Sequence, residues 1–139
     1  MTDDLLELEK QFIIEEDLEI ETIKQLIQRI IKFARIDKRG FVAIQVKDIP
    51  IPQKLMLVFS SRFLANRLQQ KIGKESFIKD ELCVKELSDM LRVKEAVISA
   101  RLKELKDDNK IIPTSKGCYK VNPSQIESFL KILEVKTNE

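Results

Sequence analysis

Residues 84–121 decide the fold, and they read VKELSDMLRVKEAVISARLKELKDDNKIIPTSKGCYKV. The first part, 84–91, predicts a compact helix whose inward residues recur at helical spacing, namely Leu87, Met90 and Leu91. A tight turn at 92–93 follows it. The next part, 94–108, predicts a longer helix with an inward stripe at i, i+4 and i+7, namely Ile98, Leu102 and Leu105.

Two predicted strands with a polar turn between them follow the second helix. Residues 110–113 and 118–121 have the composition of strands, and the connection Thr114-Ser115-Lys116-Gly117 predicts a hairpin turn. Asn109 stands before the hairpin, where a left-handed residue is tolerated. Because two helices joined by a short turn form a helix-turn-helix, the whole stretch predicts a helix-turn-helix followed by a β-hairpin.

Residues 84–91, 97–105 and 117–121 resemble the small winged helix-turn-helix regulators of archaea and bacteria. In that family the three segments are the supporting helix, the recognition helix and the second strand of the wing. The resemblance covers about half of the chain and implies that the recognition helix enters the major groove of DNA while the wing contacts the backbone. The chain departs from the family at Asn109, where glycine is common. The abundance of isoleucine and lysine gives the composition an archaeal character.

The resemblance directs attention to the polar residues around the predicted recognition helix. The candidate DNA-binding residues are Arg92, Lys94, Ser99, Lys103, Lys106 and Lys116. We expect roughly four to six phosphates to be neutralised here, which predicts a strong dependence of binding on salt. Alternatively, the bases form a solvated surface on which Glu104, Asp107 and Asp108 pair with several of the lysines.

The predicted exposed face of the recognition helix is small. At about 100° per residue, the positions opposite the inward stripe are Ala96, Ser99, Ala100 and Lys103. This face lacks the asparagine, glutamine or central arginine that makes bidentate contacts with a base edge. It therefore favours close approach and phosphate contact over extensive base readout. Arg101 is expected to lie toward the supporting helix and to bridge to an acid or a phosphate.

The rest of the chain predicts further helices, one longer strand and a short strand over 82–84 that contains Cys83, so the predicted fold class is α+β and mainly α. We expect a helix over 20–34, a strand over 41–47 after a turn at Gly40, and a central helix over 53–72. The predicted divisions are an acidic arm (1–19), a packing or dimerisation segment (20–52), the winged helix-turn-helix domain (53–122) and a C-terminal helix (123–139).

Two flanking helices carry apolar stripes that another surface must cover. One stripe lies in 20–34, and the other comprises Ile126, Phe129, Leu130 and Leu133. Either the two helices cover each other within one chain, or they meet across a two-fold axis. Because a dimer suits a palindromic DNA site, we expect a homodimer.

Charge is segregated along the chain. Residues 1–21 hold nine acids and one base, a net charge of −8, whereas residues 22–139 carry a net charge of +10. A basic body favours a polyanionic partner. The acidic arm, in which Leu5, Leu8 and Phe12 have helical spacing, is a solvated tail, a helix that docks on a protein partner, or a helix that competes with DNA for the basic face.

The composition argues against catalysis and against a metal centre. The sequence contains no histidine, the commonest general base, so we expect neither an enzyme nor a cofactor. Cys83 and Cys118 are too few for a structural zinc site. A bridge between them is conceivable, but two small buried hydrophobic side chains are the favoured interpretation.

A cytoplasmic location is expected from the apolar runs and from the N-terminus. The longest apolar run, 55–59, is too short to span a bilayer. Asp3 and Asp4 have the wrong charge for the start of a signal peptide. We therefore expect no membrane partner.

Two functions are consistent with these features. The leading hypothesis is a DNA-binding protein, namely a transcription regulator that uses helix 94–108 and wing 110–121. The alternative is a winged helix that mediates protein–protein interaction or assembly in transcription, replication or ribosome machinery. The small reading face and the acidic arm favour this alternative.

Overall fold

The computed structural model describes residues 2–12 and 19–137, which form an α+β fold that is mainly helical, as predicted. Residues 13–18 of the predicted arm lie outside the described residues, as do Met1, Asn138 and Glu139. The elements are α1 (Thr2–Phe12), α2 (Ile20–Ile30), β1 (Ala34–Ile36), β2 (Val42–Ile44), α3 (Ile51–Ile72), β3 (Leu82–Cys83), α4 (Val84–Leu91), α5 (Glu95–Asp107), β4 (Ile111–Ser115), β5 (Cys118–Val121) and α6 (Ile126–Thr137). A 3-10 turn, Pro123–Gln125, precedes α6.

Helix α3 is the centre of the fold. Every residue from Leu55 to Leu64 is buried, and the helix packs against α2, α5, α6 and strands of both sheets. Pro50 and Pro52 stand at its N-terminus, where proline costs no helical hydrogen bond. Gly73 ends it in a left-handed conformation with φ of 90°, in agreement with the predicted end. The elements that follow are therefore positioned on one buried helix.

The helix predicted over 20–34 is shorter in the structure. Helix α2 ends at Ile30, and Ala34 begins β1, where it pairs with Ile44 of the antiparallel strand β2. The prediction was wrong at this end because Ala34 keeps helical spacing with the residues before it. The spacing of residues in this stretch does not indicate that Ala34 pairs as a strand with a later segment. The strand predicted over 41–47 is likewise reduced to β2.

A buried arginine on α3 joins three segments that are distant in sequence. Arg62 is 4% exposed. Its Nη1 donates to the Gly40 carbonyl at 2.6 Å, its Nε to the Lys79 carbonyl at 2.7 Å, and its Nη2 to Glu86 Oε2 at 3.0 Å. These acceptors offset the cost of burying the guanidinium. The four residues, termed here the Arg62 junction, fix the β1–β2 turn, the connection after α3 and helix α4 to one another.

Helices α2 and α6 cover each other within one chain. The predicted α6 stripe is fully buried, at Ile126, Phe129, Leu130 and Leu133. Arg29 of α2 donates to Glu134 of α6 through Nε at 3.0 Å and through Nη2 at 2.7 Å. These hydrogen bonds hold the pKa of the Glu134 carboxyl below its ordinary value. Of the two arrangements open from sequence, the contact within one chain is the one observed, and these two faces need no second copy.

Candidate nucleic-acid interface

A short turn joins α4 to α5, and two hydrogen bonds between Ser88 and Val93 close it. Arg92 is the C-cap of α4 and has a left-handed backbone with φ of 57°. The Ser88 hydroxyl donates to the Val93 carbonyl at 2.6 Å, and the Val93 amide donates to the Ser88 carbonyl at 3.2 Å. Lys94 is the N-cap of α5. The predicted bounds of α4 are confirmed, and α5 is one residue shorter at each end than the predicted helix 94–108.

Helix α5 buries one face and exposes the other. The predicted inward residues are all buried, namely Ile98, Leu102 and Leu105. The predicted outward residues are all exposed, namely Ala96, Ser99, Ala100 and Lys103. Because α5 packs on α3, α4 and β4, its outward face is held at the surface. Apart from Lys103, the side chains at the centre of this face are small.

A three-stranded antiparallel sheet holds the β4–β5 hairpin beside α4. Strand β5 lies in the centre, between β3 and β4. The register shifts between Pro113 and Ser115 as β4 approaches the turn. The turn itself contains Gly117, whose φ is 75°. Its carbonyl accepts from the Val84 amide at 3.1 Å, so the tip of the hairpin is fixed to the first residue of α4.

Cys83 and Cys118 form a disulfide, which corrects the favoured interpretation of two unlinked side chains. They stand directly opposite each other in the antiparallel pair of β3 and β5, with Cα atoms 4.0 Å apart. The prediction was wrong because the sequence indicates both strands but not the register that brings the two side chains together. A Glu81 carboxylate oxygen lies within 4.8 Å of both sulfur atoms. The sulfur atoms are bonded to each other and so do not present two thiolates to a metal.

The predicted contact residues lie at the surface and form what is termed here the basic surface: Arg92, Lys94, Ser99, Lys103, Lys106 and Lys116. All six are exposed. Within the described part of the chain, none of the five cations forms an ion pair. These cations are therefore free to contact a partner.

The structure groups five of the six residues and places the sixth apart. Ser99, Lys103 and Lys106 follow one another at i, i+4 and i+7 along α5, so they share one side of the helix. Arg92 and Lys94 stand at the N-terminal end of α5. Lys116 lies in the hairpin turn, which is hydrogen-bonded to the first residue of α4. Arg92 lies at the opposite end of this eight-residue helix, about 12 Å further along its axis. The basic surface thus has a helical part and a hairpin part.

No protein family, curated protein or solved structure matches this chain. Its function is therefore inferred from the physical properties of its surfaces. None of the helices described in residues 2–12 and 19–137 has the length and hydrophobicity needed to cross a bilayer.

Acidic residues interrupt the basic surface. Residues 94–108 hold four bases and four acids, so this stretch carries no net charge. Glu104 pairs with Arg101 at 3.3 Å, which agrees with the acid bridge expected for that arginine. The lysines of α5 do not form the alternative ion pairs with Glu104, Asp107 or Asp108 among the described residues. Those acids are exposed and limit how much of the helix can face a polyanion.

Two exposed residues on these elements were missed by the sequence analysis. Val97 is 39% exposed beside the small face of α5. Val97 lies about 100° around the helix from Ile98, and this position could have predicted its exposure. Its apolar side chain instead favoured a place in the core. Lys85 in the first turn of α4 is also exposed. Its exposure could have been predicted, because position 85 lies outside the inward stripe of that helix.

Proposed function

We propose that the protein binds duplex DNA as a cytoplasmic transcription regulator, with α5 in the major groove and the β4–β5 hairpin against the backbone. The basic surface carries the proposal, because its five cations are exposed and form no ion pair among the described residues. A cation without an acidic partner can replace a condensed counterion at a phosphate. The succession of α4, a turn, α5 and a hairpin supports a winged helix-turn-helix, whose helix and wing dock in this way.

The shape of α5 decides what kind of DNA contact it makes. Ala96 and Ala100 on its exposed face allow the helix to come close to the base edges and to contact thymine methyl groups. The same face presents no amide side chain for bidentate recognition of adenine. Sequence preference then depends mainly on the shape and deformability of the DNA and on the spacing of bound copies.

The N-terminal end of α5 supports a phosphate contact. The N-cap residue Lys94 makes no side-chain capping hydrogen bond, and the Val97 amide donates to the Lys94 carbonyl at 3.0 Å, so the first two amides of the helix, at positions 95 and 96, remain available as donors. Backbone amides at a helix N-terminus, together with the positive end of the helix dipole, favour an anion. Arg92 and Lys94 add two charges at the same end.

Fluorescence anisotropy with a mixed-sequence duplex, at about 50 and 200 mM salt, tests the proposal. The wild-type chain should bind in the submicromolar range at the lower salt and much more weakly at the higher salt. The double variant Lys103→Glu/Lys116→Glu should abolish binding, because it removes two phosphate contacts and adds two repulsive charges. Circular dichroism should show that the variant remains folded.

The matched control reverses two exposed lysines on α6, in Lys131→Glu/Lys136→Glu. This variant has the same net charge as the first one but leaves the basic surface intact, so its affinity should stay within a few-fold of wild type. Equal losses in the two variants would mean that net charge alone attracts DNA. Absence of wild-type binding at the lower salt would contradict the proposal.

The second candidate function is a winged helix that docks on a protein in transcription, replication or ribosome machinery. It is favoured by the balance of bases and acids in residues 94–108 and by the exposed acidic helix α1. Both candidates are binding functions, in keeping with a sequence that contains no histidine. A folded protein that does not bind DNA at low salt would favour this second function.

A further inference from the structure

One flank of α2 is not covered by the other described residues of the chain. The helix buries Ile23, Leu26 and Ile30, and Arg29 on one side of this stripe meets α6. On the other side, Ile27 is half-buried and Ile31 is 42% exposed. The apolar arc of α2 is therefore wider than the surface that the described part of its own chain covers.

The open flank of α2 continues into the C-terminal half of α3. Ser61, Ala65, Leu68 and Ile72 recur at helical spacing on α3, and Ile72 is 63% exposed. Between the two helices lies a groove of about 280 Å³, termed here the α2–α3 groove, lined by apolar residues that include Ile27, Ile31, Ile36, Leu64 and Leu68. An apolar groove between helices suits the apolar face of a third helix.

The charge at the α2–α3 groove is positive. Counting described residues alone, Arg35 is the only charged residue that lines the groove. Lys24 is exposed on α2, and Lys71 is exposed on α3. The groove therefore favours an apolar helix whose edges are acidic.

Helix α1 has these properties. Leu5, Leu8 and Phe12 stand at i, i+3 and i+7 and form one stripe, and all three are exposed, Phe12 to 88%. By helical position Asp4 lies on one side of this stripe and Glu9 on the other, and both are exposed. Among residues 2–12 and 19–137, both an acidic amphipathic helix and an apolar groove with basic edges thus remain uncovered.

We propose that α1 of one copy docks in the α2–α3 groove of a second copy, and that the second copy returns the same contact. Two identical contacts related by a two-fold axis cover both stripes and both grooves and close the assembly as a dimer. This surface differs from the pairing of α2 and α6 considered from sequence, which is satisfied within one chain. It also lies on other elements than the basic surface, so it does not depend on DNA binding.

Light scattering coupled to size exclusion, with the full chain at tens of micromolar, tests the dimer. The wild type should have about twice the chain mass of 16.2 kDa. Leu8→Glu/Phe12→Glu should return the mass to that of one chain, because acidic side chains replace the apolar stripe. Leu68→Glu in the groove should do the same. The control Ile132→Glu/Val135→Glu, at two exposed positions of α6, should remain dimeric.

Mixing the α1 variant with the groove variant distinguishes this pairing from any other dimer. In the mixed pair one intact α1 still meets one intact groove, so the average mass should rise above that of either variant alone. A monomeric wild type, or a dimer that survives Leu8→Glu/Phe12→Glu, would overturn the proposal. A monomeric wild type that loses thermal stability in both variants would also overturn it, in favour of α1 docking on its own chain.

Discussion

The cations of the Arg62 junction and those of the basic surface differ in their surroundings. At the junction, the Arg62 guanidinium is buried and donates to two carbonyl groups and one carboxylate. On the basic surface, the cations of α5, its turn and the hairpin tip are exposed, and no described acid pairs with them. Exposed charges add little to folding because water already solvates them. The comparison separates charges that stabilise the fold from charges that a partner can use.

Replacing Arg62 should break the comparison most strongly. We expect Arg62→Met to lower the free energy of unfolding by about 3–5 kcal/mol, mainly because the carbonyls of Gly40 and Lys79 lose their donor. The loss of the partner of Glu86 adds less, because that carboxylate is 42% exposed. Lys103→Met on the basic surface should change it by no more than about 0.5 kcal/mol. Urea unfolding of both variants measures the difference, and equal effects would show that the two groups of cations are not distinct.

Removing the disulfide should have the next largest effect. Cys83→Ala/Cys118→Ala opens a link across 35 positions of the chain, and the entropy regained by the unfolded state should cost about 3–4 kcal/mol. Wild type in excess dithiothreitol should fall to the same stability as the variant in urea unfolding. Reduction should leave the variant itself unchanged. Equal stability of oxidised and reduced wild type would contradict the predicted role of this link.

Two glycine replacements sharpen the comparison, since Gly40 belongs to the Arg62 junction and Gly117 is next to Lys116 of the basic surface. Gly40→Ala should cost about 2–3 kcal/mol, because its φ is 92° and the new Cβ would lie 2.5 Å from Arg62 Nη1. Gly117→Ala has a φ of 75° and meets no atom within 4 Å, so it should cost only about 1 kcal/mol from the backbone. Thermal unfolding measures both values. A larger loss at Gly117 would reverse the expected order.

The smallest effect concerns a cation of intermediate exposure, Arg29, and it depends on pH. The pKa of Glu134 is held below its ordinary value of 4.5 by hydrogen bonds from Arg29. Stability from this pair is therefore present above that pH and is lost as the pH falls through the lower pKa of the folded state. Glu134→Gln should cost about 0.5–1 kcal/mol at neutral pH, and the difference from wild type should vanish in acid.

Thermal unfolding of Glu134→Gln as a function of pH provides the measurement. Glu127→Gln is the control, because Glu127 is 3.8 Å from Arg29 and more exposed than Glu134. Its effect should be smaller at every pH. A loss in Glu134→Gln that persists below the lowered pKa would mean that the side chain acts through packing and not through its charge.

Local patterns predicted much of the fold and the exposure of the candidate site. Helix α4 has the predicted bounds, and Asn109 has the expected left-handed backbone with φ of 60°. The inward and outward faces of α5 follow from its spacing because 3.6 residues make one turn wherever a helix forms. Whether the basic surface binds DNA depends on a second molecule as well, and the spacing of residues in this sequence does not indicate it.

Contacts between distant segments were not predictable in the same way. Ala34 fits a helical stripe, yet it pairs with Ile44 in a strand. The two cysteines meet only because of the register of β3 and β5. Arg62 finds its acceptors 17, 22 and 24 positions along the chain, so nothing near it in sequence indicates that it is buried. Predicting each of these features requires knowledge of how segments that are distant in sequence are arranged in three dimensions.

The contact between Gly40 and Arg62 also constrains how this sequence can evolve. Any side chain at position 40 enters the space of the guanidinium. A lysine at position 62 has one ammonium group and cannot match the fork of donors that reaches three acceptors in separate segments. Neither position can change alone without loss of stability. Lineages that share this fold should therefore keep both residues or replace both together, and such paired replacement is a mark by which distant relatives can be identified.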